Sequence, residues 1–475
     1  MQSPAMDTDN LREIVRRMVA AGKYTEAWAL LENAMRDEPE NPHLMLMANF
    51  VCEREGRIAM AFHLARNFTR LYPQDAAGWI NLGRGYEQMY MIPESERAYE
   101  RALKVTKSDD FRAKTLNNLA AMCIQVGRFA DGAQYARRAL AIKDTPQARA
   151  NLGMAQLARH EWAEGWANYA QNIGISNRAK WGYGGETWDG TPGKTVVVYG
   201  EQGIGDEISA ASVVRDAARD CERLILDCEP RLVGLFRRSF PTASVYGVDQ
   251  TAREILRKPE DAQPAASIAA VQLAQFYRKT NDDFPGAAYL KADPDRVTMW
   301  RALWDQKKVR RARPVIGVAW TGGIAQTGGK FRRWSLRDLL PVFNAQPDAH
   351  WVCLQYRDAS DEIEEFREEF PQVDLVQYPY ATLTADYDDT AALVASLDGV
   401  FSMQTSVVHL AGALGVPTVC GVALSGQWRY GESGDRMPWY SSVRLFRQAR
   451  AGAWDLRGAA RMIEDMVCQP LKQAA

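Results

Sequence analysis

Histidine and cysteine are both scarce in this chain, and neither is spaced as a ligand set. The 475 residues include five histidines, no two within metal-ligand spacing, and seven cysteines, of which Cys221 and Cys228 form the closest pair. The six residues between those two match no zinc or redox motif. We therefore expect no protein-bound metal and no disulfide framework, and we interpret the cysteines as small reduced core residues of a cytoplasmic protein.

Net charge and long apolar runs are absent as well. The 58 lysines and arginines balance 59 aspartates and glutamates, leaving a net charge of −1, so no overall basic field indicates nucleic-acid binding. No segment approaches the roughly 18–20 apolar residues of a membrane span. The N-terminal MQSPAMDTDN lacks the basic and apolar blocks of a signal peptide. A hydrophobic fraction of 47% nevertheless predicts a folded chain of several domains.

What the sequence does contain is an internal repeat over residues 8–172. Turn positions recur every 33 to 37 residues, and a small residue follows each turn by five positions. These turn and small residues are Gly22 and Ala27, Gly56 and Ala61, Tyr90 and Ser95, Gly127 and Gly132, and His160 and Gly165. Small residues at fixed offsets let paired helices approach closely, and each pair buries its apolar stripe on the next. The pattern resembles the tetratricopeptide repeat (TPR), with about four to five units.

Repeat arrays of this kind usually present a concave groove to a peptide or protein. We expect the groove to recruit a protein or other macromolecular partner. Two alternatives stay open, namely that the repeats brace another domain or that they form a homo-oligomer interface. The repeat pattern by itself specifies no chemistry.

Beyond the repeats the pattern changes to short β-branched runs that alternate with helical segments. Such alternation is typical of parallel sheets with crossover helices, whose ligands bind at the carboxyl ends of the strands. We predict an α-solenoid followed by two Rossmann-like lobes, with a C-terminal helix in the second lobe. The predicted domains are repeats at 1–172, an aromatic and glycine-rich linker at 173–193, a first lobe at 194–310 and a second lobe at 311–475.

Three segments carry a family resemblance. They are Trp181–Asp206, which ends in YGEQGIGD, then DTAALVASLDGVFSMQTSVVHLAGALGVPT and MPWYSSVRLFRQ. Together with the repeats, these segments resemble the repeat-fused heptosyltransferase-type glycosyltransferases. The resemblance implies a GT-B fold and inverting sugar transfer from a nucleotide sugar, with no cofactor and no protein-bound metal. The O-linked N-acetylglucosamine transferases share the architecture, but their motifs are less similar.

The turn after the first strand, GEQGIGDE, places two acids at the start of a helix. Two negative charges there disfavour phosphate binding, because an incoming phosphate would meet two carboxylates instead of free backbone amides at the positive end of the helix. A carboxylate at the mouth of a crevice suits proton acceptance from an attacking hydroxyl. The resemblance implies that Asp206 is this catalytic base, with Glu207 as the alternative base. An ordinary helix cap is the competing interpretation of Asp206.

A second turn, SMQTSVVHLAG, begins its helix without an acid. Free backbone amides and the hydroxyls of Thr405 and Ser406 suit a diphosphate there, and His409 follows one turn later on the same face. The family usually has aspartate where this chain has Gln404, which removes an acid from the expected donor site. A helix cap beside a buried structural histidine is the alternative.

A departing nucleoside diphosphate requires cationic stabilisation when no metal is bound. The family's basic residue falls on Arg333, and Lys330 and Arg332 lie beside it. A solvated run of charges is the alternative for all three residues. Gln355 ends a strand and is a further candidate for donor contact.

The sequence therefore predicts a cytoplasmic, inverting, metal-independent glycosyltransferase. Its donor would be a nucleotide sugar, and its acceptor a protein or other macromolecule held by the repeats. A transferase acting on a lipid-linked saccharide and a catalytically inactive TPR scaffold remain alternatives, and Gln404 is the best argument for the scaffold. The sugar, the nucleotide base and the acceptor are not specified.

Overall fold

The computed structural model describes residues 8–175, 178, 180, 181, 183, 185–247, 264–306, 313–323, 329–424, 426–449 and 454–473, without the side chains of Lys330 and residues 468–473. The chain forms two compact units. One contains Met1–Ile124 and Arg128–Leu152, and the other contains Gln125–Gly127 and Gly153–Ala475.

Residues 8–169 form ten helices in five pairs, which confirms the predicted repeat. The helices are α1 (Thr8–Ala20), α2 (Tyr24–Asp37), α3 (Pro42–Glu55), α4 (Ile58–Leu71), α5 (Ala76–Gln88), α6 (Ile92–Val105), α7 (Asp109–Gln125), α8 (Phe129–Ile142), α9 (Pro146–Ala158) and α10 (Trp162–Tyr169). Every predicted turn position has a left-handed backbone, with φ between 59° and 83°. Tyr90 and His160 are the only non-glycine residues of the described chain with positive φ, so the turn geometry persists even where glycine is replaced.

The small residues lie where the two helices of a pair approach each other. Ala27 and Ser95 are fully buried, and Ser95 Oγ donates a hydrogen bond to the Gly83 carbonyl at 2.8 Å. A Cβ atom added to Gly165 would lie only 2.9 Å from the Leu157 side chain. Larger side chains would force the paired helices apart, which explains why these positions repeat in the sequence.

The second unit begins inside α9, at Gly153, so α10 belongs to it. The sequence pattern instead places the end of the repeats after residue 172. The difference arises because α10 keeps the spacing of a repeat while its aromatic side chains pack within the second unit.

Two parallel sheets form the two lobes of the second unit. The first sheet has the order β1-β5-β2-β3-β4, and the second has the order β11-β12-β10-β9-β6-β7-β8, in which β11 alone is antiparallel to its neighbour. The strands are β1 (Glu186–Thr187), β2 (Thr195–Tyr199), β3 (Arg223–Cys228), β4 (Ser244–Gly247), β5 (Ala266–Ala269), β6 (Val315–Ala319), β7 (His350–Cys353), β8 (Leu375–Gln377), β9 (Gly399–Met403), β10 (Thr418–Val422), β11 (Arg436–Met437) and β12 (Tyr440–Arg447). Helices cover both faces, so the central strands are buried and read as continuous apolar runs.

The strand order reverses once in each sheet, between β2 and β5 and between β6 and β9. At such reversals the connections leave on opposite faces and open a crevice at the carboxyl ends of the strands. The remaining α-helices are α11 (Ile204–Ala210), α12 (Val214–Asp220), α13 (Val233–Ser239), α14 (Ala274–Tyr277), α15 (Pro294–Gln306), α16 (Leu340–Ala345), α17 (Ser360–Glu369), α18 (Pro379–Thr382), α19 (Tyr387–Ala395), α20 (Ser406–Leu414) and α21 (Leu456–Gln473). A helical repeat followed by two Rossmann-like lobes is the predicted fold class, which is confirmed.

The structure places two segments differently from the predicted domain boundaries. Strand β1 falls inside the predicted linker, where Glu186 and Thr187 pair with β5. The predicted boundary places helix α15 in the first lobe, but Trp304 Nε1 donates to Ser396 Oγ in the second lobe at 3.1 Å. Both features depend on pairing between segments that are distant in sequence, which local patterns do not encode.

The cysteines of the described chain are free thiols, and all but Cys221 are buried. The Cys468 side chain lies outside the described part. None of the described helices combines the length and the apolar character that a bilayer crossing requires.

Candidate active site

A cavity of about 570 Å³ lies between the two lobes. Its lining follows the carboxyl ends of β2 in the first lobe and of β6, β7 and β9 in the second. The described lining residues are Gly203–Asp206, Arg231, Gly323, Arg332, Leu354, Tyr356, Thr382–Thr384, Tyr387, Thr390, Gln404–Val407, His409, Gln427 and Tyr430. The cavity therefore sits where doubly wound sheets bind their ligands.

Glycine at position 205 allows the starts of α11 and α20 to approach across this cavity. A Cβ atom added to Gly205 would lie 3.1 Å from Ser406 Cα and 3.3 Å from His409 Cδ2. Both distances are tighter than ordinary van der Waals contact. This approach brings the two turns singled out in the sequence, one from each lobe, to a single site.

Asp206 lines the cavity and also caps its own helix. Its Oδ2 accepts the Gly203 backbone N–H at 3.2 Å, and its Oδ1 lies 2.8 Å from Arg429 Nη1. The carboxylate side chain keeps 26% of its surface exposed. Asp206 can therefore cap its helix and still face the cavity, because the cap uses only part of the carboxylate.

Glu207 points away from the cavity. Its side chain is buried, its Oε2 accepts the Glu229 backbone N–H at 2.9 Å, and its carboxylate packs against Gly200. A group held in this way does not reach an acceptor in the cavity. The geometry therefore gives no support to Glu207 as the alternative base.

Thr405 and Ser406 lie at the start of α20, on the cavity wall. Thr405 is the N-cap, and its hydroxyl accepts the Val407 backbone N–H at 3.2 Å. Ser406 Oγ lies 3.4 Å from the Tyr387 hydroxyl, which donates to it. No acid occurs in the first turn of α20, so the partial positive charge of the helix end is not neutralised there.

Gln404 is buried at the end of β9, and only the oxygen of its side-chain amide has a hydrogen-bond partner among the described residues. Its Oε1 accepts the Ala423 backbone N–H at 3.0 Å. Its Nε2 has no hydrogen-bond partner among the described residues. A buried amide in this state keeps a spare donor, whereas an ionised aspartate at this position would offer only acceptors.

His409 lies in a chain of hydroxyl groups that fixes its tautomer. The Tyr289 hydroxyl donates to the Ile208 carbonyl at 2.7 Å and therefore accepts from Tyr440, 3.2 Å away. The Tyr440 oxygen in turn accepts from His409 Nδ1 at 3.3 Å. The remaining ring nitrogen, Nε2, is then the acceptor for the Tyr430 hydroxyl at 3.4 Å.

Burial lowers the pKa of His409 to about 3, so the ring is neutral at physiological pH. A neutral ring whose two nitrogens both have protein partners supplies no positive charge to a phosphate. The arrangement therefore favours the alternative interpretation, in which His409 is a buried structural residue.

The predicted basic segment contributes Arg332 rather than Arg333 to the cavity. Arg332 is 3% exposed and lines the cavity, whereas Arg333 is exposed and bridges Thr321 across an antiparallel pair. Side chains alternate between faces in extended chain, so two adjacent arginines point in opposite directions. The side chain of Lys330 lies outside the described part.

Gln355 is buried beside the cavity and is not among the residues that line it. Its Nε2 donates to Thr321 Oγ1, while its neighbours Leu354 and Tyr356 reach the cavity wall. Tyr356 and Leu383 are exposed at the edge of the cavity. This edge offers an apolar surface next to the polar start of α20.

The sequence favours packing for Trp428-Arg429, with nucleotide contact as the lesser alternative, but Arg429 reaches the site. It pairs with Asp206 although it belongs to the other lobe. Arg231 was also missed, and it lines the cavity while its Nε donates to the Glu229 carboxylate at 2.8 Å. Only contacts between distant segments reveal either residue.

The charges on the cavity wall favour an anionic ligand. Among the described lining residues, Asp206 is the only acid, and Arg429 neutralises it from outside the lining. Arg231 and Arg332 are the lining cations, and Arg231 is itself paired with Glu229, so Arg332 supplies the main positive charge. The described residues include no group of three or more His, Cys, Asp or Glu placed to hold a metal ion.

Comparison with known proteins gives one curated relative and several solved structures. No protein-family model matches the chain. Protein FlbA of Caulobacter vibrioides is 28% identical over 401 residues, which are 81% of this chain and 66% of FlbA, just under two thirds of its length.

Two solved structures correspond to different parts of the chain. ADP-heptose LPS heptosyltransferase II of E. coli is 14% identical, with a TM-score of 0.42 over 58% of this chain and 99% of its own. A TPR protein of Thermus thermophilus is 18% identical, with a TM-score of 0.32 over 36% of this chain and 92% of its own. By the helical pairs and the two parallel sheets described above, the chain joins a tetratricopeptide-type repeat to a fold of the GT-B type.

Proposed function

We propose that this protein is an inverting, metal-independent glycosyltransferase that moves a sugar from a nucleotide sugar to a hydroxyl of a protein or other macromolecule. The observation that carries the proposal is the cavity between the lobes. There, an accessible carboxylate from the first lobe lines the same cavity as an acid-free helix start and a buried arginine from the second lobe.

The diphosphate of the donor would bind at the start of α20. Backbone amides, the hydroxyls of Thr405 and Ser406, and the guanidinium of Arg332 supply hydrogen-bond donors and positive charge at this place. The spare donor of Gln404 lies at the end of the preceding strand. A nucleobase would extend towards the apolar edge at Tyr356.

Transfer would proceed by a single displacement. The acceptor oxygen attacks the anomeric carbon, its proton passes to Asp206, and the bond from carbon to the diphosphate oxygen breaks. The charge that develops on the diphosphate is stabilised by Arg332 and the start of α20. Inversion requires the base and the leaving group on opposite sides of the sugar, and the two lobes supply one group each.

The repeats would recruit the acceptor. They contain none of the groups proposed for the chemistry, and arrays of helical pairs commonly bind peptides or proteins. Holding an acceptor near the base raises its effective concentration. The acceptor class therefore rests on the repeats, whereas the reaction class rests on the cavity.

The test uses the full-length protein with UDP-glucose, UDP-N-acetylglucosamine, GDP-mannose and ADP-heptose. We expect at least one donor to raise the unfolding temperature and to be slowly hydrolysed, with EDTA having little effect. Asp206→Asn should lower hydrolysis by about 10²–10⁴-fold and leave the thermal shift unchanged. If no donor binds or is hydrolysed, the inactive scaffold becomes the better interpretation. Equal loss of binding in Asp206→Asn would assign Asp206 to the donor instead of the acceptor.

A further inference from the structure

Arg429 makes a contact with each of its three guanidinium nitrogens. Nη1 lies 2.8 Å from Asp206 Oδ1, Nε donates to Ser209 Oγ at 3.1 Å, and Nη2 donates to Gln202 Oε1 at 3.4 Å. The three partners lie on the turn and helix that carry Asp206. The guanidinium therefore holds the whole turn through three contacts, instead of pairing with a single charge.

The guanidinium also packs on an aromatic ring. Its Cζ lies 4.2 Å from the centre of the Trp428 ring, within the range of a cation–π contact. Trp428 is itself surrounded by Trp166 at 5.4 Å, Tyr169 at 5.6 Å and Trp439 at 5.7 Å, measured between ring centres. Because Arg429 is almost fully buried within this packing, its position is set before any ligand arrives.

The contacts leave the cavity side of Asp206 open. Arg429 and the Gly203 N–H hold the two oxygens of the carboxylate, while a quarter of its side-chain surface remains exposed, at 26%. The arrangement thus fixes the direction of the carboxylate and leaves one side of it accessible from the cavity.

Other charged groups face the pair less directly. Glu201, which is buried, interacts with both Asp206 and Arg429, and its own partner is Arg178 at 2.9 Å. His409 faces Arg429 in its neutral form, and Arg231 lines the same cavity. None of these groups replaces the hydrogen bond that Arg429 makes to Asp206 Oδ1.

We propose that Arg429 is the positioning residue of the catalytic base, acting from the second lobe to hold Asp206 directed at the acceptor. This inference rests on the proposed function. It adds that the base is complete only when the two lobes are together, since the base and its positioning residue come from different lobes.

The chain offers a closely matched control pair for this test. Arg278 Nη2 lies 2.7 Å from Asp216 Oδ2, and the two side chains are 5% and 24% exposed, against 4% and 26% for Arg429 and Asp206. Neither control residue lines the cavity among its described residues. Arg278→Gln therefore removes a similarly buried ion pair outside the cavity lining, from the packing that also surrounds Arg429 and Trp428.

The experiment measures kcat and KM for hydrolysis of the donor identified in the screen, using full-length variants. Arg429→Gln should lower kcat by about 10- to 100-fold and leave KM within about twofold, because the base loses its direction while the donor site keeps its contacts. Arg429→Lys keeps the charge but loses the planar guanidinium, so it should restore only part of this kcat. Arg278→Gln should leave kcat and KM unchanged.

A second readout does not depend on activity. Thermal unfolding of Asp206→Asn, Arg429→Gln and the double variant should show non-additive effects, because the two side chains are in direct contact. An unchanged kcat in Arg429→Gln, with activity present, overturns the positioning role and leaves the proposed function standing. Coupled unfolding without hydrolysis of any donor overturns the proposed function, and with it the role of Arg429 in catalysis. Additive unfolding overturns the pairing itself.

Discussion

Arg332 and Arg333 form a matched pair of adjacent arginines, one buried in the cavity wall and one exposed. If the cavity binds a diphosphate, replacing Arg332 removes a charge-assisted hydrogen bond worth about 1.5–3 kcal/mol. That loss corresponds to a roughly 10- to 150-fold rise in the Kd of the nucleoside diphosphate. Arg333→Gln should change the Kd by less than about twofold, because an exposed charge is screened by salt.

Isothermal titration of Arg332→Gln, Arg333→Gln and the unchanged protein with UDP, GDP and ADP measures this difference directly. Since Arg332 is buried, its effect should persist when salt is raised to about 0.5 M. Arg332→Gln should also lower kcat for donor hydrolysis, because the diphosphate gains charge in the transition state. Equal effects of the two variants, or an effect of Arg333→Gln alone, would refute the assignment of Arg332 to the phosphate.

Two further predictions concern buried titratable groups. Because the pKa of His409 is about 3 in the folded protein and ordinarily about 6.5, its contribution to stability is full above about pH 6.5 and is lost as the pH falls towards 3. In urea unfolding from about pH 7 to 4, His409→Gln should therefore lose less stability than the unchanged protein, and an equal loss would contradict the neutral ring. Burial raises the pKa of Asp227 to about 7, so its contribution falls as the pH rises from about 4 to 7. Asp227→Asn keeps an acceptor for the Tyr183 hydroxyl. Its free energy of unfolding should exceed that of the unchanged protein by up to about 4 kcal/mol at pH 8 and should equal it near pH 4. Equal stability of the two proteins at both pH values would contradict this expectation.

Local patterns in the sequence predicted those parts of the fold that depend on neighbouring residues. Turn positions with left-handed backbone and small residues at helix crossings recur at a fixed period, so the repeat was visible without a structure. Central strands such as β2 and β6 are continuous β-branched or apolar runs, so the sequence indicates them directly. Strands β5 and β12 do not stand out as such runs, since their strand character depends on pairing with β2 and β10.

The candidate site was predicted only as far as its local turns. Asp206, Thr405 and Ser406 follow strand ends, and the topology brings them to one cavity. The choice between Arg332 and Arg333 depends on the bridge to Thr321, which sets the direction of each side chain. Arg429 lies on a different lobe from its partner, and no spacing in the sequence connects them.

The contacts of helix α10 limit where a repeat array of this kind could be replaced by another one. It keeps the glycine of the repeat pattern at Gly165, yet Trp166 Nε1 donates to the Arg278 carbonyl at 2.8 Å and its ring packs on Trp428. Insertion or loss of repeats upstream of Gly153 would leave these contacts unchanged. A graft made after residue 172 would remove the rings that support Trp428 and, through it, Arg429. Recombination can therefore vary the repeats upstream of α7, while the turn at Gln125–Gly127 and the last helix, which both belong to the second unit, must be inherited with the lobes.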